Sequence, residues 1–222
     1  MALESGDRYL AGLLCAGLAM LLTAGSEHDA AVRRAEQAYA LASDLGNPSL
    51  STIAEDSLGF ALAPVDPDAA IRHLTAGLHA SSALDGARLA TGDTGRRCLA
   101  RLLAGRGEIA AALDAYAGCL DRAMEAGAWF GLTLACDSLA VDLVAAGRHE
   151  IAAVMFGALE APMVGYGGNP HIRREAALAT VKEALGVQRF EESARRGRAM
   201  DLEDLGVFAR AEVGRLLAEA QP

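Results

Sequence analysis

An acid followed by three small or aliphatic residues recurs along the chain as Asp29-Ala30-Ala31-Val32, Asp68-Ala69-Ala70-Ile71, Glu108-Ile109-Ala110-Ala111 and Glu150-Ile151-Ala152-Ala153. The acids are 39, 40 and 42 positions apart. Self-similarity at such an interval marks one supersecondary unit used several times, because a single unit cannot bury its apolar face until a neighbour stacks on it. Each pattern follows a break: Gly25-Ser26, the segment from Pro64 to Pro67, Gly105-Arg106-Gly107, and Gly147-Arg148-His149. Apolar runs of similar text precede three of these breaks, at 58–62, 99–103 and 139–143.

These signals read as antiparallel helix pairs. An acid in the first turn of a helix meets unpaired N–H groups and the positive end of the dipole. Pro67 suits a helix start, where its missing N–H costs nothing. Gly25, Gly105 and Gly147 are placed as left-handed C-caps. Each unit is then helix A, a tight turn, helix B and a second turn, at Asn47-Pro48, Asp85-Gly86 or Ala126-Gly127. The expected fold is all-α: a right-handed α-α superhelix that resembles the tetratricopeptide solenoids, with a repeat of about 40 residues.

Composition agrees with this architecture. The chain of 222 residues holds 49 alanines and 32 leucines but only 5% aromatics, the balance for close-packed helices rather than a β-sandwich. Its net charge of −9 opposes direct contact with phosphate backbones, so no nucleic-acid partner is expected. The cluster of Arg173, Arg174, Arg189, Arg195, Arg196 and Arg198 is interleaved with Glu175, Glu191 and Glu192 and reads as a solvated helix face. Cys15, Cys98, Cys119 and Cys136 lack CxxC spacing and sit among apolar residues, as core thiols of a cytoplasmic protein.

The uncharged run 9–26 resembles a signal-peptide core at 10–22, but Glu4 and Asp7 stand where basic residues belong. The run is short for a bilayer span, so no membrane partner is expected. Leu10, Leu14, Leu18, Leu21 and Leu22 form one helical stripe, which predicts a first helix packed inward on its leucines.

Three segments follow from this reading: helical repeats over 1–160, a Gly/Pro loop over 161–170, and C-terminal capping helices over 171–222, all in one continuous domain. The loop holds three glycines and two prolines, and cannot continue a helix. Within the tail, one helix is expected to stop at Gly186, another to run to about Arg198, and a last one, 202–220, to open on Asp201.

Two stretches carry a family resemblance: Ala40-Leu41-Ala42-Ser43-Asp44-Leu45-Gly46-Asn47-Pro48, and Leu185-Gly186-Val187-Gln188-Arg189-Phe190 followed by Gly197-Arg198-Ala199-Met200-Asp201-Leu202-Glu203-Asp204. They resemble the C-terminal helical-repeat region of actinobacterial ATPase-type transcriptional regulators, the LuxR-type, MalT-like proteins and their adenylate-cyclase-linked relatives. The resemblance implies a non-catalytic sensor or interaction module that follows a nucleotide-binding domain. The chain contains no GxxxxGK[ST] loop, cyclase carboxylate pair or recognisable helix-turn-helix, so the implied match is to the helical region alone, as an excised domain or truncated relative.

Catalytic constellations are missing from the text. The five histidines show no HExxH or metal-ligand spacing, no GxSxG elbow is present, and Gly165-Tyr166-Gly167-Gly168 does not follow a strand. The expectation is no enzyme, no cofactor and no metal. Binding is expected instead on a concave face lined by the A helices. There Asp56, Arg97 and Asp137 precede the repeat acids by 12, 11 and 13 residues, with Arg101 and Asp142 near them. Arg flanked by carboxylates is either an internal ion pair or a surface that reads a peptide or ligand. Trp129 is read as inter-repeat packing or as a groove anchor.

The first functional expectation is a module binding a partner protein or adjacent regulator domain, with a homodimer possible on Ala- and Leu-rich outer faces. The alternative is a small-molecule effector domain with a pocket inside the superhelix.

Overall fold

The computed structural model describes residues 7–82, 91–160 and 170–220. Within them lie ten helices and no strand: α1 (Arg8–Ala24), α2 (His28–Leu45), α3 (Pro48–Leu62), α4 (Pro67–Ser82), α5 (Thr91–Gly105), α6 (Ile109–Glu125), α7 (Trp129–Ala145), α8 (His149–Ala158), α9 (Pro170–Arg198) and α10 (Leu202–Ala220). The all-helical expectation is therefore met. The Asp85-Gly86 turn and the Gly/Pro loop at 161–169 lie outside the described residues.

Short polar side chains start several of these helices. Asp7, Asn47, Asp66 and Asp201 each accept the backbone N–H three residues on, at 2.8–3.0 Å. The repeat acids play a different part: Asp29, Asp68 and Glu150 lie in first turns, and Glu108 is an N-cap residue without a side-chain capping bond. Each places negative charge near the positive end of a helix dipole.

Four turns share one hydrogen-bond pattern. The amides of Glu27, Glu108, Ala128 and Arg148 reach back to the carbonyls of Leu22, Leu103, Ala123 and Leu143, at 2.8–3.0 Å. The residue before each amide, Ser26, Gly107, Gly127 or Gly147, has φ between 61° and 80°. This is the Schellman arrangement, which satisfies carbonyls left open at the helix end. Gly147 takes its expected left-handed conformation, whereas Gly25 (φ −80°) and the helical Gly105 do not. The left-handed residue falls one or two positions later because the 6→1 bond fixes its place relative to the last turn. Gly107, Gly127 and Gly147 recur every 20 residues, one helix plus one turn.

The chain divides into two compact units, Met1–Leu102 and Leu103–Pro222. In the first, α1 packs on α2 and α3, α2 on α3, and α3 on α4. Alanines dominate the contacts: Ala16 meets Ala38 and Ala42 beside Leu50, and Ala19 meets Ala31 and Ala35 beside Leu58. At Gly12 a Cβ would stand 2.8 Å from Leu50 Cδ2.

This packing overturns the expected orientation of the first helix. Its buried residues are Ala11, Gly12, Ala16 and Ala19, while Leu10, Leu14, Leu18 and Leu21 are 40–68% exposed. Small side chains bring the helix axes close, and that closeness turns four of the five stripe leucines away from the core, while Leu22 still packs against it.

In the second unit α7 packs on α6, α8 and α9, α8 on α9, and α10 on α6, α7 and α8. The α8–α9 contact is backbone on backbone. A Cβ at Gly157 would penetrate the carbonyl of Ala194, and one at Gly197 would penetrate that of Val154. Gly186 breaks α9 with φ 72° and ψ 162°, where the expected stop lies. No described helix is long and apolar enough to cross a membrane.

Candidate functional site

Asp56 on α3 is buried, 4% exposed. Glycines on both neighbouring helices make room for its carboxylate: a Cβ at Gly77 of α4 would stand 2.7 Å from Oδ1, and one at Gly95 of α5 would overlap the carboxylate. The adjacent Glu55 meets His73 Nδ1 at 2.7 Å, and the His73 ring stands edge-on to Tyr39. Arg97 is half-buried and Arg101 is exposed. All three charges reach Cys98: burial pushes this thiol up to about 11, Arg101 and Arg97 pull it down, and Asp56 pushes it further up. Asp56, Arg97 and Arg101 thus share one neighbourhood, with the carboxylate enclosed.

Asp137 on α7 has a defined partner. Arg174 of α9 donates one terminal nitrogen to Asp137 Oδ1 at 2.6 Å and the other to the carbonyl of Leu159 at 2.8 Å. Its guanidinium carbon also lies 5.5 Å from the centre of the Phe156 ring. Both side chains are largely removed from water, at 18% and 10% exposure. Burial, and next the Asp137 charge, push Cys136 up to about 12. Trp129 and Phe130, at the start of α7, are 43% and 53% exposed.

The second unit also holds a cavity of about 330 Å³. Its walls come from Ile109, Ala112, Leu113 and Tyr116 of α6, Leu139, Asp142 and Leu143 of α7, and Leu216, Glu219 and Ala220 of α10, with Ala104, Ala146 and Arg148 completing them. Alanines at 104, 112, 146 and 220 leave the space that larger side chains would fill. Two polar groupings line an otherwise apolar hollow. The Tyr116 hydroxyl donates to Asp142 Oδ2 at 2.6 Å, and Arg173 donates to Asp142 Oδ1 at 3.3 Å. Arg148 meets Glu219 at 2.8 Å, and Arg215 also pairs with Glu219. An apolar concavity of this size with a few fixed polar atoms is the ordinary form of a small-ligand site.

Of these lining residues, sequence reasoning placed only Asp142 near a binding surface. Tyr116, Arg148, Leu216 and Glu219 carry no local motif, and segments more than a hundred positions apart form the walls. Among the described residues no group of three or more His, Cys, Asp or Glu side chains could hold a metal ion. The four cysteines are free thiols, three of them buried. No protein-family model, curated protein or solved structure matches the chain.

Proposed function

We propose that the chain is a non-catalytic sensor and interaction module of a transcriptional regulator or signalling ATPase. Three features support this reading. The tail text from Leu185 to Asp204 resembles the helical region of such regulators. The 20-residue recurrence of Gly107, Gly127 and Gly147 fits helix pairs stacked as a tetratricopeptide-like superhelix with a repeat near 40 residues. The apolar cavity between α6, α7 and α10 supplies a place for an effector, and this observation carries the reading.

The proposed effector is a small, mainly apolar molecule whose polar end meets Tyr116–Asp142 or Arg148–Glu219. Binding would tie α10 to α6 and α7, so occupancy is coupled to how firmly the last helix is held. A thermal-shift screen of the whole chain tests this, since a ligand at 100 times its Kd adds about 2.7 kcal/mol of stability. A metabolite that raises Tm in the native chain, but not in Ala220→Trp, supports the site. Ala220 lines the cavity and is exposed, so tryptophan there obstructs the mouth without entering the core.

A protein partner is the second reading, and exposed Trp129 and Phe130 favour it. Adjacent exposed aromatics are disproportionately the anchors of protein interfaces. The enclosure of Asp56 and the Arg174–Asp137 pair favour internal cohesion for those two carboxylates, and in the second unit Trp129 is the candidate side chain exposed to a partner. Loss of partner capture by Trp129→Ala, with an unchanged melting curve, supports this reading.

A further inference from the structure

The outer face of α1 is apolar and exposed among the described residues. Leu10, Leu14, Leu18 and Leu21 are 43, 58, 40 and 68% exposed, and no residue between Arg8 and Glu27 is charged. A solvent-facing helix surface normally carries charge, and a contiguous exposed leucine patch marks an interaction site. Gly17 lies on the same face with open space where a Cβ would stand. The middle of the patch is therefore a notch beside Leu14, Leu18 and Leu21.

We propose that a second copy of this chain covers the face, its α1 crossing antiparallel at Gly17 and Leu18. An antiparallel register centred between these residues sets Leu14 opposite the partner's Leu21, and Leu21 opposite the partner's Leu14. Each Leu18 enters the notch at the partner's Gly17. The surface is thus complementary to itself about a two-fold axis, as an isologous interface requires.

Charge selects the same orientation. Arg8, with its side chain 47% exposed beside Asp44, comes level with the partner's Glu27, and Glu27 is exposed in turn. Parallel pairing would set Arg8 against the partner's Arg8 and Glu27 against the partner's Glu27. The antiparallel arrangement also places each positive helix N-terminus beside a negative C-terminus. A lipid surface fits less well, because helices that lie on membranes carry a basic polar face. The flanks of α1 instead offer one arginine, Arg8, against three acids, Asp7, Glu27 and Asp29.

At 17 residues α1 is about 25 Å long, so one crossing covers less than the roughly 800 Å² per partner of a standard interface. The dimer is accordingly weak, with half-association expected at roughly micromolar to tens of micromolar protein.

Sedimentation equilibrium of the whole chain from about 1 to 200 μM covers that range. The native chain should show a monomer–dimer equilibrium. The double variant Leu14→Glu/Leu18→Glu should be monomeric throughout with an unchanged far-UV spectrum, since both side chains already face water. In a Cys15→Ser background, Leu18→Cys should form a covalent dimer on mild oxidation and Leu10→Cys should not. A native chain that is monomeric at every concentration overturns the proposal, including one that instead co-sediments with phosphatidylcholine–phosphatidylglycerol vesicles. So does a dimer indifferent to the double variant, and equal cross-linking at positions 10 and 18 overturns the antiparallel register.

Discussion

Arg174 of α9 binds Asp137 of α7 at 2.6 Å while its second terminal nitrogen holds the carbonyl of Leu159 at 2.8 Å. One guanidinium thereby joins α7, the end of α8 and α9. Its planar fork suits two acceptors at once, which a lysine ammonium would serve less rigidly.

Asp137→Ala should destabilise the second unit by about 3 kcal/mol, because it leaves a largely buried guanidinium with only a carbonyl. Exchanging both partners, Asp137→Leu with Arg174→Met, should cost less than the single change, since no buried charge is then stranded. Urea unfolding of the two variants provides the comparison. A double exchange costlier than Asp137→Ala would show that the pair contributes more than mutual compensation.

Gly95→Ala should cost about 1–3 kcal/mol, because its Cβ would overlap the enclosed Asp56 carboxylate. Gly214→Ala is the control. Its nearest neighbour would be Arg210 at 3.7 Å, so it should gain up to about 1 kcal/mol through helix propensity and a less flexible unfolded chain. Thermal unfolding that shifts both variants the same way would contradict the close approach at Gly95.

All-helical architecture, the stop at Gly186 and the cap at Asp201 were legible in the text because each has a local cause: composition, a positive φ, a short acceptor side chain. The orientation of α1 was not. Hydrophobicity ranks leucine above alanine for burial, whereas packing against Ala31, Ala35, Ala38 and Ala42 selects the smallest side chains and leaves Leu10, Leu14, Leu18 and Leu21 outside. The left-handed residues at Ser26 and Gly107 depend on which amide completes the 6→1 bond, and several adjacent glycines and serines could have supplied it. Arg174 and Asp137 are 37 positions apart, and the cavity draws on residues from 104 to 220, so neither leaves a pattern along the chain.

Stability should fall with rising pH above about 9. In the folded chain burial raises Cys98 from 9.0 to about 11 and Cys136 from 9.0 to about 12, so the unfolded chain loses these protons first. Fewer bound protons in the unfolded state give a negative slope, approaching about 1.4 kcal/mol per pH unit for each thiol between its unfolded and folded values. Below pH 9 the effect fades as the unfolded thiols hold their protons. Cys136→Ala should flatten the alkaline limb measured by urea unfolding between pH 8.5 and 10.5 (roughly the window in which the unfolded thiol ionises first); an unchanged limb would place Cys136 in contact with water.

Tyr116→Phe should destabilise by about 1.5–3 kcal/mol, the worth of a hydrogen bond to a charged acceptor, since the 2.6 Å bond from the hydroxyl to Asp142 is lost. It should also weaken any ligand whose polar end depends on that oriented carboxylate. Equal affinity in the native chain and Tyr116→Phe would move the polar end to Arg148–Glu219.

The most direct test of the central claim is a fluorescence titration of the whole chain with anilinonaphthalene sulfonate, whose apolar rings and single anionic group suit the hollow beside Arg148. One saturable site is expected, which Ala220→Trp abolishes and Leu14→Glu/Leu18→Glu leaves intact. Undiminished binding in Ala220→Trp, or loss of binding only when the α1 leucines are replaced, would contradict a binding site between α6, α7 and α10.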